Sequence, residues 1–588
     1  MTCNRVKIHV DFVVRGRHLR FVSCRPPSAH CTHFVLQSLR LEVKRTVTIA
    51  IMSAQAKENE NQIFDYNYKK NFRTALPQLL AVSVKNLLLL SYGMTLGFTT
   101  ILIPAVKDPI EGEVLHLENS EISWISSINL IVVPLGCAVS GVVTTPMGRR
   151  RAMQMVNLPF FIAWLIFHFS THTGHLYSAL FLTGLAGGLL EAPVLTYVAE
   201  ITQPHLRGAL TATSSMCIII GVFTQFLFGL LMYWRTVALV NITFTILSVV
   251  ALCFVPESPH WLVCRKRYDE ARKSLQWLRG WTSSQAVENE LKDIQALYKR
   301  KKEATSDQDE TFWEKISVYL DRSFLVPYFL VSYSFFVGHF SGMTTLQTYA
   351  VSIFQMLQAP IDKYYATLVL GIVQILGSGI CVLLVHYTGK RPLTFFSTAA
   401  AGICCLLVAG YEGYIKTHLS NIKTFQNDTI EGANDNVLNN PYAWIPTTLL
   451  MLLALVTHVG IRLLPWILIG EVFSAKTRSG AAGLASAIGY IFGFLTNKIY
   501  ISMVDTLSIC GTYGFYGIIC LTGCVVFYFI LPETEGKRLN DIENHFSGVK
   551  RLTNEVYRFQ KKQKVEESNM RHLKGTINPS FEGDSTTF

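Results

Sequence analysis

Apolar residues occur along this chain in long blocks rather than at the short periods of a water-soluble core. Twelve of these blocks are long enough to cross about 30 Å of hydrocarbon as helices. They lie at 79–103, 122–144, 153–172, 176–198, 209–232, 236–255, 324–345, 364–387, 393–412, 442–469, 480–501 and 510–531. A backbone in lipid must satisfy its own hydrogen bonds, so the blocks predict twelve transmembrane helices, numbered here as spans 1 to 12.

Short polar motifs repeat between the two halves of this pattern. A glutamate is followed seven residues later by an arginine at Glu200 and Arg207, and again at Glu471 and Arg478. A glycine with two basic residues occurs at 148–150 and at 389–391, and a Pro-Glu pair closes each half. The repeats keep their order, which is typical of a parallel duplication. They predict an all-α membrane protein with twelve transmembrane helices in two six-helix bundles.

The same pattern divides the chain into five segments. These are the tail 1–76, the first bundle 77–255, the linker 256–322, the second bundle 323–531 and the tail 532–588. Residues 1–51 are basic and show no helical period. We therefore expect a disordered extension at 1–51.

Composition and charge agree with a membrane protein. Half of the residues are hydrophobic and only 16% are charged. The basic residues that border the spans cluster on one side: Arg149, Arg150, Arg151, Arg207, Lys390, Arg391, Lys476 and Arg478. Basic loops face the cytoplasm, so both termini are expected to be cytoplasmic. The net charge of +12 follows from this topology and does not indicate nucleic-acid binding.

Several classes of chemistry have no motif in the sequence. Most of the thirteen cysteines lie in or beside apolar runs, where cysteine packs as a small hydrophobe, and none forms a paired CxxC set. No metal site or other cofactor is therefore predicted. The sequence also shows no motif of a catalytic triad or a nucleotide-binding loop, so an enzyme is not predicted. The loop between spans 9 and 10 contains the sequon Asn427-Asp428-Thr429, so Asn427 is expected to be glycosylated.

Taken in chain order, seven motifs resemble those of the sugar porter family of the major facilitator superfamily, over about 77–543. They are Gly141–Arg150, Tyr197–Glu200 with Arg207-Gly208, Pro256–Leu262, Ser341-Gly342, Gly389–Arg391, Pro465-Trp466 with Glu471 and Arg478, and Pro532–Gly536. Residues 76–87 and 191–193 are similar in particular to insect facilitative trehalose and hexose transporters.

The resemblance implies a gate made of charged residues at the cytoplasmic helix ends. It assigns this role to Glu200, Arg207, Glu471, Arg478, Arg149, Arg150, Lys390 and Arg391. Such groups can pair when the bundles close and separate when they open, each pair contributing little. The chain departs from the family at Thr145 and His386, where the loop motifs usually carry acids. The gate is therefore expected to be looser or to use other partners.

Substrate contacts are expected from polar side chains between the bundles near mid-membrane. Sugars need groups that both donate and accept hydrogen bonds, and an aromatic face. The resemblance and the polarity of the spans suggest Gln374, Trp466, Thr344, Gln347, Tyr349, His339 and Tyr490. Gly338, His339 and Thr344 stand where the family has amides, so the pocket is expected to be poorer in amides.

Arg462 is the least expected residue in these spans. It precedes Trp466 by four residues, where the family has a small glycine. An arginine inside the membrane must be paired or hydrated. One interpretation is a structural pair with a carboxylate or a helix-end carbonyl. The other is a contact with an anionic or strongly polar substrate, which adds Arg462 to the candidate site.

The remaining features favour transport without ion coupling. Proton-driven relatives resemble one another in a first-span aspartate and a fourth-span arginine, where this chain has Gly93 and Leu180. The sequence therefore predicts facilitated diffusion of a small polar solute, trehalose or a hexose, across the plasma membrane. Its partners would be the solute and the bilayer, with no obligate protein partner indicated. An organic anion carrier of the same fold and a non-transporting nutrient sensor remain alternatives.

Overall fold

The structure is a computed structural model, in which the chain forms two units, 1–71 and 72–588. It describes residues 12–14, 17–19, 72–109, 113, 115–306, 319–426, 442–474, 477–537, 539–549 and 551–552. In the first unit, strands β1 (Phe12–Val14) and β2 (Arg17–Leu19) form an antiparallel hairpin. The rest of the predicted extension 1–51, and Asn427, lie outside the described residues.

Eight helices form the first half of the second unit. They are α1 (Phe72–Lys107), α2 (Asn119–Ile125), α3 (Ile128–Met147), α4 (Arg149–His168), α5 (Thr173–Leu189), α6 (Glu191–Ile201), α7 (Pro204–Leu231) and α8 (Trp234–Cys253). Spans 1, 3, 5 and 6 are single helices, whereas span 2 combines α2 with α3 and span 4 combines α5 with α6. Three linker helices follow: α9 (Pro259–Cys264), α10 (Tyr268–Leu278) and α11 (Ser284–Ser306).

The second half repeats this arrangement with more interruptions. Its helices are α12 (Arg322–His339), α13 (Met343–Thr348), α14 (Ala350–Met356), α15 (Lys363–Thr388), α16 (Lys390–Gln426), α17 (Trp444–Val459), α18 (Leu464–Glu471), α19 (Arg478–Ile530) and α20 (Leu539–Phe546). Span 7 consists of α12 to α14, and span 10 of α17 and α18. Spans 11 and 12 share α19, which contains a non-helical residue at Ser508 (φ 63°, ψ 175°).

These helices account for the twelve predicted spans. Within the described residues, nine continuous helical segments have the length and apolar composition needed to cross a membrane. One of them, Gly480–Ile530, contains two spans. The other two spans are α4, which begins with three arginines, and span 7, which is divided into short helices.

Small residues allow close helix crossings within the first bundle. A Cβ atom at Gly93 of α1 would lie 2.1 Å from the backbone oxygen of Ile218 in α7. A Cβ atom at Gly188 of α5 would lie 2.1 Å from the backbone oxygen of Val133 in α3. Lipid tails provide no hydrophobic drive for helix association, so such backbone contacts hold the bundle together.

The first repeated motif folds into a capped helix junction. Gly148 ends α3 with a φ of 92°, which favours glycine, and α4 begins at the next residue. One oxygen of the Glu257 carboxylate accepts the backbone N–H groups of Arg149 at 2.9 Å and Arg150 at 3.1 Å. The carboxylate therefore satisfies the free donors of α4 and complements the positive end of its dipole.

The second copy of the motif has the same geometry. Gly389 ends α15 with a φ of 87°, and α16 begins at Lys390. The Glu533 carboxylate accepts the backbone N–H groups of Lys390 at 3.2 Å and Arg391 at 3.0 Å. The sequence repeat thus corresponds to a structural repeat, in which the glutamate two residues after each half's last span caps a helix in that half.

Candidate functional site

The predicted gate residues lie at one end of the two bundles. This end, called the basic end below, carries Arg149, Arg150, Lys390 and Arg391. In the first bundle, Arg149 Nη2 lies 2.8 Å from Glu200 Oε1, and both side chains are less than one-fifth exposed. The Ser258 hydroxyl donates to the other Glu200 oxygen. Glu200 is therefore paired within its own bundle.

The second bundle has a matching pair with a different cation. Lys390 Nζ lies 2.6 Å from Glu471 Oε1 and 2.8 Å from Glu535 Oε2. The lysine side chain is 5% exposed. An ammonium group has three donors on a single nitrogen, so it can contact both carboxylates at once. Glu471 is thus also held inside its own bundle.

The other predicted gate residues contact backbone oxygens near their own helices. Arg150 Nη1 donates to Val255 O at 3.0 Å, and Arg391 Nη2 donates to Tyr528 O at 2.7 Å. The guanidinium of Arg207 is 3.3 Å from Thr202 O. For Arg478 only the backbone is described, at the start of α19. The structure therefore places the gate residues at one end of the molecule. Each of these contacts of Arg150, Arg391 and Arg207 joins residues of the same bundle.

The other end of the molecule, called the opposite end, is closed by bonds between the bundles. The Tyr349 hydroxyl donates to Ser126 Oγ at 2.7 Å, and Asn497 Nδ2 donates to Ser126 O at 3.0 Å. Ser123 Oγ donates to Lys498 O at 2.8 Å. Span 2 of the first bundle is thereby joined to spans 7 and 11 of the second.

Two further contacts strengthen this closure. Thr100 Oγ1 of α1 donates to the Gln347 backbone oxygen at 2.8 Å. Lys498 Nζ lies 3.7 Å from the centre of the Trp124 ring, a cation–π distance. Tyr349 and the Gln347 backbone, predicted from sequence to line the substrate site, thus contribute to the closed end. Sequence reasoning missed Ser126 and Asn497, whose polarity within apolar spans was the available signal.

Aromatic residues and a carboxylate join the bundles nearer mid-depth. The Tyr490 hydroxyl of α19 donates to Glu191 Oε1 of α6 at 3.0 Å. The Trp466 ring is edge-on to Tyr490 with centroids 5.9 Å apart, and edge-on to Phe335 at 5.1 Å. Trp466 is 37% exposed, so part of its ring remains available for contact. Sequence reasoning did not identify Phe335 as a member of this group.

Arg462 lies beside this aromatic group at the break in span 10. Its Nη1 atom donates to Thr344 Oγ1 at 2.8 Å and lies 3.5 Å from His339 Nδ1. His339 stacks against Phe335 with ring centroids 6.3 Å apart. A Cβ atom at Gly493 would lie 3.0 Å from the His339 ring and 3.3 Å from Leu130 of the first bundle. The cluster of Arg462, Thr344 and His339 therefore lies at the boundary between bundles.

Gln374 occupies a separate position on α15. It is 1% exposed, and its Nε2 atom is buried with no hydrogen-bond partner in the described part of the chain. Buried amides are usually satisfied, so an unpaired one marks a position where another polar group can bind. The structure thus connects His339, Thr344, Arg462, Trp466 and Tyr490 through contacts, and leaves Gln374 as an isolated donor.

Two absences also bear on the chemistry. Among the described residues, no group of three or more His, Cys, Asp or Glu side chains could hold a metal ion. At Gly93, where relatives with proton coupling are expected to have an aspartate, the backbone of α7 occupies the space of a side chain. A carboxylate at this position would require α1 and α7 to move apart.

Two repeated six-helix bundles, joined at one end and with polar and aromatic side chains between them, define a membrane transporter. The chain belongs to the sugar (and other) transporter family, whose model matches residues 46–546. This family membership confirms the predicted resemblance and the prediction that the chain is a multi-pass membrane transporter rather than an enzyme.

Curated relatives include insect proteins named facilitated trehalose transporter Tret1. The Bombyx mori relative is 26% identical over 483 residues, which cover 81% of this chain and 88% of the relative. The Culex quinquefasciatus relative is 28% identical over 439 residues, which cover 73% of this chain and 78% of the relative.

Solved structures with the same fold include two of the xylose transporter XylE. The partially occluded inward open form from E. coli has a TM-score of 0.59 at 15% identity, and covers 78% of this chain and 100% of that structure. XylE, a proton:xylose symporter, bound to 6-bromo-6-deoxy-D-glucose has a TM-score of 0.61 at 16% identity, with 80% and 100% coverage. The predicted major facilitator fold with twelve helices is confirmed.

Proposed function

We propose that the protein carries a sugar, trehalose or a hexose, across the plasma membrane by facilitated diffusion. The observation that carries the proposal is the group of polar and aromatic side chains between the bundles. Trp466 presents a partly exposed ring, and the Tyr490–Glu191 pair and the Thr344 hydroxyl offer polar atoms nearby. A sugar needs both kinds of surface, since its C–H face packs on aromatic rings and its hydroxyls need polar partners.

The conformation supports an alternating-access cycle. The opposite end is closed between the bundles, while Glu200 and Glu471 at the basic end pair inside their bundles. Lysine and arginine near span ends favour the cytoplasmic side, so the basic end and both termini would be cytoplasmic. This state would then face inward. In the outward-facing state the gate residues would pair across the bundles at the basic end.

The segments assigned from sequence have matching roles in this proposal. The bundles 77–255 and 323–531 would move against each other around the site, and 256–322 would connect them. Ion coupling is not part of the proposal, because the close α1–α7 crossing at Gly93 leaves no room for a proton-binding carboxylate there. The relatives named facilitated trehalose transporters support the same mode of transport.

Radiolabelled uptake of trehalose and glucose in cells expressing the full chain tests the proposal. We expect saturable uptake that a proton ionophore does not reduce. Surface biotinylation would establish that the protein reaches the plasma membrane, and epitope tags at both termini should be accessible only after permeabilisation. Surface protein without sugar flux would contradict the proposal. Sugar binding without flux would instead favour the nutrient sensor.

Gln374→Ala tests the substrate site itself. Loss of one amide hydrogen bond to the sugar would raise KM about tenfold, equivalent to about 1.4 kcal/mol. Gln285→Ala, which removes an exposed amide on α11, is the matched control and should leave KM unchanged. An unchanged KM in Gln374→Ala would exclude this residue from the site.

A further inference from the structure

Arg462 is a cation between the bundles with no acidic partner in the described part of the chain. Its recorded bonds go to Thr344 Oγ1 and His339 Nδ1, both neutral or basic groups. Glu191, an acid of span 4, is bonded to Tyr490. The interpretation of Arg462 as half of a structural ion pair therefore has no described carboxylate to support it.

The geometry of the guanidinium leaves one edge available. Both recorded bonds leave from Nη1, so the edge formed by Nε and Nη2 has no protein acceptor among the described residues. Two parallel N–H groups on this edge match the two oxygens of a carboxylate. Thr344 is 5% exposed and holds Nη1 in place, so the orientation of the edge is fixed by the protein.

The position of this edge is next to the proposed sugar site. His339 contacts the Phe335 ring, which in turn contacts Trp466. His339 also lies beside Gly493, close to Leu130 of the first bundle. A ligand at this boundary can therefore reach the aromatic ring of Trp466 and the charge of Arg462 from one location.

The energetics favour an anionic ligand here. A guanidinium stays ionised under all physiological conditions, and a charge within the membrane is costly unless it is paired or hydrated. Because no described carboxylate neutralises Arg462, a carboxylate on the ligand would recover interactions that the protein itself does not supply. A neutral sugar would replace water at the guanidinium without compensating its charge.

We propose that this site accepts sugars that carry a carboxylate, such as a hexuronate, with the carboxylate bound to the Nε–Nη2 edge of Arg462. This inference rests on the proposed function, because it concerns the same space between the bundles. It extends the substrate range to acidic sugars and assigns Arg462 as the residue that selects them.

Paired uptake of labelled glucuronate and glucose provides the first test. Glucuronate differs from glucose by a carboxylate at carbon 6, so the pair isolates the effect of the charge. We expect saturable glucuronate uptake that is inhibited by glucose, and an outward current in voltage-clamped oocytes as the anion enters. This measurement uses the wild-type protein and needs no variant to fold.

Variants then test the residue. Arg462→Gln is expected to lower the ratio of glucuronate to glucose kcat/KM at least tenfold, and Arg462→Lys to retain part of it. Lys85→Gln is the matched control, because Lys85 is another buried cation of the spans but is bonded to Ser214 between α1 and α7. Its ratio should equal that of the wild type.

The outcomes separate this inference from the proposed function. Glucose or trehalose uptake without glucuronate uptake or competition would overturn the inference and leave the proposed function standing. Glucuronate uptake without neutral sugar uptake would support the inference and overturn the assignment of trehalose or a hexose. An unchanged ratio in surface-expressed Arg462→Gln would overturn the role of Arg462.

Discussion

Glu113, in the connection between α1 and α2, shows how closely neighbouring groups control a single side chain. Its carboxylate lies 2.7 Å from Arg235 Nη2 and accepts a hydrogen bond from the Tyr233 hydroxyl. Partial burial opposes ionisation, but the hydrogen bonds from Arg235 and Tyr233 and the guanidinium charge outweigh it. They lower the pKa of Glu113 from 4.5 to about 2. The folded state therefore favours the ionised form of the Glu113 carboxylate.

Glu113→Gln is expected to destabilise the protein in a pH-dependent way. The folded-state pKa is below the unfolded-state value, so the ion pair contributes fully above pH 4.5 and is lost as the pH falls toward about 2. At pH 7 the cost should be about 2 kcal/mol. Melting temperatures in detergent should differ most at neutral pH and converge on acidification.

A surface pair provides the control for this pH series. Arg267 and Glu270 form an exposed ion pair on the linker, with side chains 41% and 52% exposed. Glu270→Gln should change the melting temperature little at any pH, because exposed pairs contribute weakly. A difference between Glu113→Gln and wild type that stays constant with pH would contradict the assignment of Glu113.

At the residue scale, the sequence predicts which residues are charged or polar but not which partner each one takes. The repeats identified Glu200 and Glu471. The Ser258 hydroxyl that donates to Glu200, and Glu535, which shares Lys390 with Glu471, depend on how the chain folds back after each bundle. Tyr349 was assigned to the substrate site from its place in span 7. The break at 340–342 gives this span a depth that hydropathy does not reveal, and Tyr349 lies at the closed end.

At the scale of elements, the two capped junctions are expected to contribute independently. Glu257→Ala and Glu533→Ala each leave two backbone N–H groups of a helix start without their carboxylate, which should cost about 1–2 kcal/mol. The junctions belong to different bundles, so the double variant should lose about the sum. Thermal unfolding of the purified single and double variants measures both effects.

The control for this series is an acid whose carboxylate accepts no backbone N–H group among the described residues. Glu270→Ala removes a carboxylate from an exposed pair and should change the free energy of unfolding by less than about 0.5 kcal/mol. Losses in Glu257→Ala and Glu533→Ala no larger than this control would show that the carboxylates do not support α4 and α16.

The sequence predicted the number and order of the elements but not their interruptions. Twelve apolar runs correspond to twelve spans, because length and hydrophobicity are sufficient to recognise a crossing. The breaks within spans 2, 4, 7 and 10 lie inside apolar runs and have no hydropathy signal. Gly342 and Gly460 were the available signals for the breaks in spans 7 and 10, and Arg462 lies in the second of these breaks.

At the scale of the whole molecule, Asn497 is expected to influence the balance between the two proposed conformations. Its side chain joins span 11 to span 2 at the opposite end. Asn497→Ala should weaken this closure by about 1 kcal/mol, equivalent to about fivefold in the ratio of the two states. A cysteine introduced at Ser352 should then react faster with an impermeant thiol reagent added outside.

Thr496→Ala is the matched control for this experiment. Thr496 is adjacent and buried, but its hydroxyl donates to Phe492 O within its own helix. The reference is the protein that carries only the cysteine at Ser352, and Thr496→Ala should leave its labelling rate unchanged. Labelling of the wild-type protein measures the contribution of the native cysteines. Equal labelling in Asn497→Ala and Thr496→Ala would show that the Asn497–Ser126 bond does not influence the conformational equilibrium.

The pairs at the basic end have a consequence for how the cycle responds to its surroundings. In the proposed inward-facing state, Glu200 and Glu471 are already bonded to Arg149 and Lys390 within their own bundles. Closing the gate is then an exchange of partners rather than a capture of free charges. Dissolved ions screen the old and the new pairs alike, so their effects largely cancel. The transporter is therefore expected to keep a nearly constant turnover across wide changes in ionic strength.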